Sequence, residues 1–435
     1  MKSKFLSATA ATLLLVFMNL QNPAASAVFS GYSFSSHTFT PCGATGIAGP
    51  TQDSCTASYS TTWDNNTDNF TVVNGIQYWV VPATGSYSIE AAGAKGGNGN
   101  GGTGGLGAKI KGTFSLTAGE TIRILVGQAG GNQTILAGGT NSTGGGGGGT
   151  FVVRTPFNTN ASILVVAGGG GGSGSSSGGG SGQITTNGQA GLGASSGAGG
   201  TNGGGGGGGR SGTAGTASTD GGTGTACSYG AGGGGFFTNG GANCDGSTPI
   251  IKGFGFVNGG AGGPADSARS LTDKTFGGFG GGAGSGHRAP GGGGYSGGGG
   301  DGTATGGGGG GSYNSGSNQT NISGTNSGDG YVTITSLTPP VLSLAISGSP
   351  LQIIKGSIVA LSSSVDQSGK ITFLADGKRI PGCISIAISN STASCNWKPS
   401  VQKSVNLTVI FTQSGSVTAR TEGLYISVVK RTGTR

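Results

Sequence analysis

Apolar and polar residues alternate through much of the first third of the chain. The stretch "GIQYWVVPATGSYSIEAAG" (75–93) contains two apolar segments around a Pro-Ala-Thr-Gly turn. The stretches "AKIKGTFSL" (108–116) and "ETIRILVGQ" (120–128) alternate in the same way. A period of two residues is typical of strands with one buried face. These segments therefore predict an antiparallel β-sheet.

Glycine dominates the next part of the chain and accounts for 104 of the 435 residues. It forms runs at 144–149, 168–172, 203–209 and 306–311. Ordering glycine costs about 0.5–1 kcal/mol more than ordering alanine, and a simple spacer does not require runs without any side chain. Extended threefold helices without Cβ atoms, by contrast, can pack side by side and share backbone hydrogen bonds. We expect packed polyglycine II helices with strands at their ends, and disordered loops are the alternative.

The composition changes after "GYVTITSL" (330–337), where Thr338, Pro339 and Pro340 mark a break. Only eight glycines occur in residues 341–435, which contain seven short apolar segments at the spacing of a β-sandwich. The predicted fold is all-β: a β-sandwich with a bundle of polyglycine II helices, followed by an Ig-like β-sandwich.

The N-terminus has the features of a secretory signal peptide. Lys2 and Lys4 precede an apolar stretch at 6–20, and Ala25-Ser26-Ala27 is a small-x-small cleavage signature. A membrane anchor is disfavoured because the stretch is short and interrupted by polar residues, and no later segment has about 18 apolar residues. We expect export, with these boundaries: 1–27 signal peptide, 28–337 glycine-rich domain, 338–340 linker and 341–435 Ig-like domain.

Six cysteines in an exported chain indicate disulfides. They lie in three local pairs, which predicts bonds between Cys42 and Cys55, Cys227 and Cys244, and Cys383 and Cys395. Free buried thiols are the alternative. A metal site is disfavoured because the chain has no C-x-x-C motif and its two histidines, His37 and His287, are far apart.

Composition also argues against several function classes. Proline is scarce and glycine has no strict period of three, which excludes collagen. The net charge is +8, but no basic run with interleaved aromatic residues occurs, so nucleic-acid binding is not expected. G-x-G-x-x-G arises by chance in so much glycine, and G-x-x-x-x-G-K-[ST] is absent. We expect no cofactor.

Acidic residues and histidines offer little for catalysis or for calcium binding. Calcium-binding repeats need an aspartate in every nine-residue unit, and the aspartates of the glycine-rich region are isolated. Examples are Asp220, Asp245, Asp266 and Asp301. Glu90 and Glu120 lie in strand patterns, where solvent-facing positions explain them better than a glycosidase pair. A Ser-His-Asp triad would need His37 or His287, and the loop "GSGHRAP" favours an exposed His287. We expect no enzyme.

Several sequence blocks occur in an order that goes beyond glycine content. They are "CGATGIAGPTQDSC" (42–55), "GIQYWVVPATGSYSIEAAGAKGG" (75–97), "GTFSLTAGETIRILVGQAG" (112–130), "GGGGGGTFVV" (144–153), "ILVVAGGGGG" (163–172) and "GDGYVTIT" (328–335). Over about residues 39–336 the chain resembles the glycine-rich extracellular domain of the anaplastic lymphoma kinase and leukocyte tyrosine kinase receptors. The resemblance implies a β-sandwich carrying polyglycine helices and a role in binding a protein ligand. It does not extend to a kinase, because V-A-I-K, H-R-D and D-F-G are absent.

The tail from "GKITFLADGKRIPGC" to "TASCNWKPS" resembles the Ig-like repeats of bacterial exported surface proteins. Together with the signal peptide it suggests a prokaryotic exported protein. The nine N-x-S/T sites, among them Asn69, Asn141 and Asn321, are then ordinary polar positions, whereas a eukaryotic host would glycosylate them.

Two classes of function remain. The first is a secreted or cell-surface binding or adhesion protein, with a rigid glycine-rich head on an Ig-like stalk and an unknown protein or glycan ligand. Receptor-like ligand capture is a variant of it. The second is a structural component of an envelope or matrix. The stretches 187–200 and 281–300 favour the first, since loops on a rigid scaffold carry recognition.

Overall fold

The computed structural model describes most of the chain from residue 31 onwards. The described ranges are 31–100, 102–133, 143–209, 230–241, 251–265, 275–285, 288–337, 342–348, 352–365, 369–389, 391–413, 416–421 and 423–430. The predicted signal peptide and the predicted linker at 338–340 lie outside these ranges, and the domain boundaries stay predictions.

The part before residue 337 is built almost entirely of strands and extended segments. Its elements in chain order are β1 (Ser36–Phe39), α1 (Gln52–Ser58), β2 (Phe70–Val73), β3 (Ile76–Val80), β4 (Gly85–Ala92), β5 (Gly107–Leu116), β6 (Thr121–Leu125), β7 (Thr150–Arg154), β8 (Ile163–Ala167), β9 (Tyr313–Asn314), β10 (Ser317–Asn326) and β11 (Tyr331–Ser336). Short 3-10 turns occur at Asn160–Ser162 and Phe256–Asn258.

These strands form two antiparallel sheets that enclose a core. The first sheet has the order β1-β11-β4-β5-β10, and the second has the order β2-β3-β6-β7-β8-β9. Tyr87 and Ile110 from the first sheet pack in one cluster with Trp79 and Ile124 from the second. The alternation seen in the sequence therefore has its predicted cause, since one face of each strand is turned into a sandwich core.

The second sheet is buried on its other face as well. Phe151 and Val153 of β7 pack against Phe236 and Phe256, which come from the glycine-rich part of the chain. Val152, between them, points into the core shared by the two sheets. A strand covered on both faces has no polar side to display, which explains the unbroken apolar run "FVV" (151–153).

The glycine run 144–149 lies among other backbone segments and is buried. Gly144 and Gly147 donate their N–H groups to Ser173 and Gly170. Gly145 and Gly148 donate to Gly131 and Gln128, and Gly146 and Gly149 to Ala283 and Gly280. Residues three apart in the run therefore donate to the same neighbouring segment. Together the six glycines bond to three segments, at 170–173, 128–131 and 280–283.

The run 168–172 has the same period of three. Gly169 and Gly172 donate to Gly293 and Pro290, 2.8 and 2.9 Å from N to O. A threefold extended helix has this period. The described runs are therefore hydrogen-bonded, buried parts of the fold, and disordered loops are the wrong interpretation of them.

The C-terminal part contains ten further strands in its described residues. They are β12 (Ala345–Ile346), β13 (Gln352–Ile354), β14 (Val359–Ser364), β15 (Lys370–Ala375), β16 (Lys378–Arg379), β17 (Ile386–Ala387), β18 (Thr392–Trp397), β19 (Ser404–Gln413), β20 (Ser416–Arg420) and β21 (Leu424–Val429). One sheet has the order β12-β14-β18, and the other has the order β13-β21-β19-β15-β16, with β17 on β15 and β20 on β19. Leu361, Phe373 and Val409 belong to one core formed by both sheets.

Candidate functional site

The segment between the first two cysteines is fixed at both ends. A disulfide joins Cys42 to Cys55, which lies buried in α1. The helix begins after Thr51, whose side chain accepts a hydrogen bond from the N–H of Ser54, and Ser54 bonds back to Thr51. This reciprocal cap favours a helix start at this position. The intervening residues are thus held in a closed loop.

Backbone hydrogen bonds attach the middle of this loop to the glycine-rich part. The carbonyl of Gly46 accepts from the N–H of Phe279 at 2.7 Å, and the carbonyl of Ile47 accepts from the N–H of Gly262 at 2.9 Å. The side chain of Ile47 is nevertheless 40% exposed. A fixed backbone therefore presents an apolar side chain to solvent.

A groove of about 610 Å³ runs beside Ile47. Its lining comprises residues 47–52, Val72, Asn74, Gly75, Gly259, Ala261 and Phe279. The backbones of Gly49 and Gly75 pack directly against each other. A Cβ on Gly49 would lie 2.6 Å from both the Gly75 Cα and the Phe279 ring. None of the lining residues is charged. This volume is within the range of ligand-binding clefts.

The stretch 281–300 is predicted to form an exposed recognition loop, but its described residues are not exposed. Its described residues are buried apart from the half-buried Arg288. Gly292 and Gly293 donate to Gly308 and Gly147 inside the packed glycines. The prediction of a displayed loop is wrong because glycine, which signals a loop elsewhere, here permits backbones to approach closely. His287 lies outside the described residues.

The stretch 187–200 is on the surface, but it also belongs to the packed glycines. Gln189 donates its N–H to Gly309, and Gly197 donates to Gly300, both at 2.8 Å. Leu192 is 43% exposed. This stretch is the partly exposed outer layer of the glycine packing.

His37, one of the two residues that a triad would need, is surrounded by aromatic rings. Its ring centroid lies 4.7 Å from that of Phe39, 4.5 Å from Tyr59 and 5.0 Å from Trp63, all edge-on. Burial lowers the pKa of His37 to about 4, and the charge of Asp64 opposes this shift only in part. The imidazole is neutral at pH 7, and its Nε2 has no hydrogen-bond partner among the described residues.

The two glutamates of the strand patterns are engaged with cations. Glu90 lies 3.8 Å from Lys109 Nζ and 3.9 Å from Lys111 Nζ, and it accepts a hydrogen bond from the Tyr331 hydroxyl. Glu120 lies 3.0 Å from Arg154 Nε. These half-buried ion pairs account for both carboxylates as sheet-surface residues.

Asp301 is fully buried. Its Oδ1 accepts hydrogen bonds from the hydroxyls of Ser196, Thr303 and Thr305 and from the N–H of Thr303. The other three aspartates named above, Asp220, Asp245 and Asp266, lie outside the described residues. Within the part of the chain that the structure describes, no group of three His, Cys, Asp or Glu residues is placed to hold a metal ion.

Disulfides join Cys42 to Cys55 and Cys383 to Cys395, the same pairs that the sequence predicts. The third predicted pair, Cys227 and Cys244, lies outside the described residues. Of the N-x-S/T asparagines, Asn69 is buried and Asn321 is half-buried, whereas Asn141 lies outside the described residues.

The groove beside Ile47 was not foreseen from the sequence. Its walls come from stretches about 200 residues apart, and "GIAGP" (46–50) has no pattern that marks a binding site. The one available signal was an apolar residue within a short disulfide-closed loop.

No protein-family model matches the chain. A segment of 99 residues is 37% identical to the leukocyte tyrosine kinase receptor of Mus musculus, in its extracellular region. The match covers 21% of this chain and 11% of the receptor. It supports a distant relationship over that segment. In the described residues, the structure has no helix that is both long and apolar enough to cross a bilayer.

Proposed function

We propose that this chain is an exported, non-catalytic binding protein that captures a protein partner at the groove beside Ile47. The packed glycines and the Cys42–Cys55 loop act as the rigid scaffold of this groove. The C-terminal sandwich is an Ig-like stalk of the type found in bacterial surface proteins. The observation that carries the proposal is an exposed isoleucine on a backbone fixed by a disulfide and by hydrogen bonds.

The chemistry of the groove favours a protein over a charged glycan. Its lining has no charged residue and includes the buried ring of Phe279 and the exposed side chain of Ile47. Exposed apolar surface that surrounds a concave site is typical of protein-binding surfaces. The similarity to the extracellular region of a receptor supports the same class of function.

An extracellular or cell-surface location fits both the covalent chemistry and the similarity. Disulfides persist in oxidising compartments and are rare in the cytosol. The residues that the structure describes contain two of them.

Peptide selection on the full chain tests the proposed site. A phage-displayed random peptide library is selected on the wild-type protein, and the selected peptides are measured on Ile47→Asp. We expect peptides with an apolar anchor residue and at least about tenfold weaker binding to the variant, because a carboxylate would face the anchor.

Ile184→Asp is the matched control, since Ile184 is 48% exposed and does not line the groove. It should bind the selected peptides as the wild type does. Peptides that bind Ile47→Asp and the wild type equally well would refute the assignment of this groove.

A further inference from the structure

Positive charge is concentrated in the C-terminal region. Residues 341–435 contain ten Lys or Arg and three Asp or Glu, which gives +7 of the chain's net +8. The preceding 340 residues contain twelve Lys or Arg and eleven Asp or Glu, a net charge of +1. A region proposed as a passive stalk therefore carries nearly all of the net charge.

Part of this charge surrounds a groove of about 660 Å³. The groove lies between the β15–β16 hairpin and the connection from β18 to β19. Its charged lining residues are all exposed: Asp376, Lys378, Arg379, Lys398 and Lys403. Four cations and one carboxylate give the groove a positive potential.

The single carboxylate is already engaged. Asp376 Oδ2 lies 2.5 Å from Lys403 Nζ, and Asp376 Oδ1 accepts from the N–H of Asn406 at 2.9 Å. Among the described residues, no carboxylate lies within salt-bridge distance of Lys378, Arg379 or Lys398. Three cations are thus available to a ligand, while the ion pair holds the hairpin to the facing connection.

A second groove, of about 500 Å³, shares Asn396 with the first. Its lining is uncharged and includes Ile358, which is 70% exposed. The N–H of Gly356 donates to the carbonyl of Pro399, which links the stretches that line the two grooves. An extended ligand could therefore place anionic groups in the first groove and neutral parts in the second.

Aromatic stacking is a minor feature of this surface. Trp397 is the one aromatic residue in the lining of either groove, and it is 7% exposed. Single-stranded nucleic acids are bound by exposed aromatic rings that stack on the bases. Charge without stacking favours a polyanion that has no bases.

We propose that these two adjoining grooves bind an anionic polysaccharide, whose carboxylate or phosphate groups contact Lys378, Arg379 and Lys398 in the first groove. The C-terminal region would then hold the protein on an acidic surface polymer. The inference goes beyond the proposed function, which assigns ligand capture to the glycine-rich region.

Binding measurements on the full chain test this proposal. The probes are polygalacturonate, a polysaccharide that carries carboxylates, and phosphomannan, a polysaccharide that carries phosphates. We expect at least one of them to bind, with affinity that falls as salt is raised because the contacts are exposed. Lys378→Gln combined with Arg379→Gln should weaken binding by at least about fivefold.

Lys370→Gln is the matched control, because Lys370 is an exposed cation of the same sheet outside both grooves. It should bind almost as the wild type does, and unchanged thermal unfolding shows that the variants are folded. Whichever polymer binds more tightly identifies the anionic group. The proposal would be overturned if neither polymer bound, or if oligo(dT) bound more tightly than both. It would also be overturned if the double variant and Lys370→Gln lost the same amount of affinity. Variants at Ile47 leave this surface intact, so the two proposals fail separately.

Discussion

His37 is a titratable residue that packs against the aromatic core. Three aromatic rings surround it edge-on, and Asp64 is the acidic residue whose charge acts on it. Removing the imidazole from water disfavours its charged form, and this outweighs the attraction of Asp64. Its lowered pKa therefore reflects packing.

This packing predicts a pH dependence of stability. The pKa of His37 is about 4 in the folded protein and 6.5 in the reference state, so the unfolded chain binds more protons between these values. The free energy of unfolding should therefore fall as pH is lowered from 6.5 towards 4. His37→Phe keeps an aromatic ring but cannot titrate, so urea unfolding of this variant should depend less on pH in that window. An unchanged pH dependence would show that His37 is not responsible.

The sequence could not reveal the surroundings of His37. It identified His37 only as one of the two histidines that a Ser-His-Asp triad would need. Tyr59 and Trp63 lie more than 20 residues away, and only the folded sandwich brings their rings to the imidazole. Contacts of this kind do not appear as a period in the sequence.

At the level of elements, alternation was a reliable guide. It predicted the strands that became β3 to β6, because each has one face in the core between the two sheets. It could not show that β7 is covered on both faces, since the covering rings of Phe236 and Phe256 lie between glycines. Glycine content led to the wrong prediction for 281–300.

Strand pairing also predicts how the chain divides. Every strand after residue 345 pairs within that part, and Leu361, Phe373 and Val409 share its core. A fragment of residues 341–435 should therefore fold alone. Circular dichroism during heating should show one cooperative transition, and a gradual, non-cooperative change would mean that the predicted boundary is wrong.

On the scale of the whole molecule, glycine replaces side chains as the packing material. The runs satisfy their backbone N–H groups on neighbouring segments with a period of three. Aromatic side chains that lie between the runs, among them Phe236 and Phe256, cover the apolar outer face of the second sheet. The sequence indicated this packing because ordered glycine is costly and needs a compensating interaction. It could not indicate which runs are neighbours, since their partners lie up to about 140 residues apart. The polyglycine II conformation itself stays a prediction that fits this period.

Gly147 is the most direct place to test the packed-glycine account. A Cβ on Gly147 would lie 2.5 Å from the Ala94 carbonyl oxygen and 2.6 Å from the Lys95 carbonyl group. Both are backbone groups that cannot rotate away, so Gly147→Ala must separate segments joined by hydrogen bonds worth about 0.5–1.5 kcal/mol each. Overpacking adds about 1–3 kcal/mol.

Gly328→Ala is the matched control, because a Cβ on this exposed glycine would meet nothing within 4 Å. This substitution should be neutral or stabilise by about 0.4–1 kcal/mol, through the lower entropy of the unfolded chain.

The decisive measurement is the denaturant midpoint of the full chain with Gly147→Ala and with Gly328→Ala. We expect a clear fall for Gly147→Ala and no fall for Gly328→Ala. A midpoint for Gly147→Ala that rises, or that matches the control, would contradict the conclusion that the glycine runs form the core.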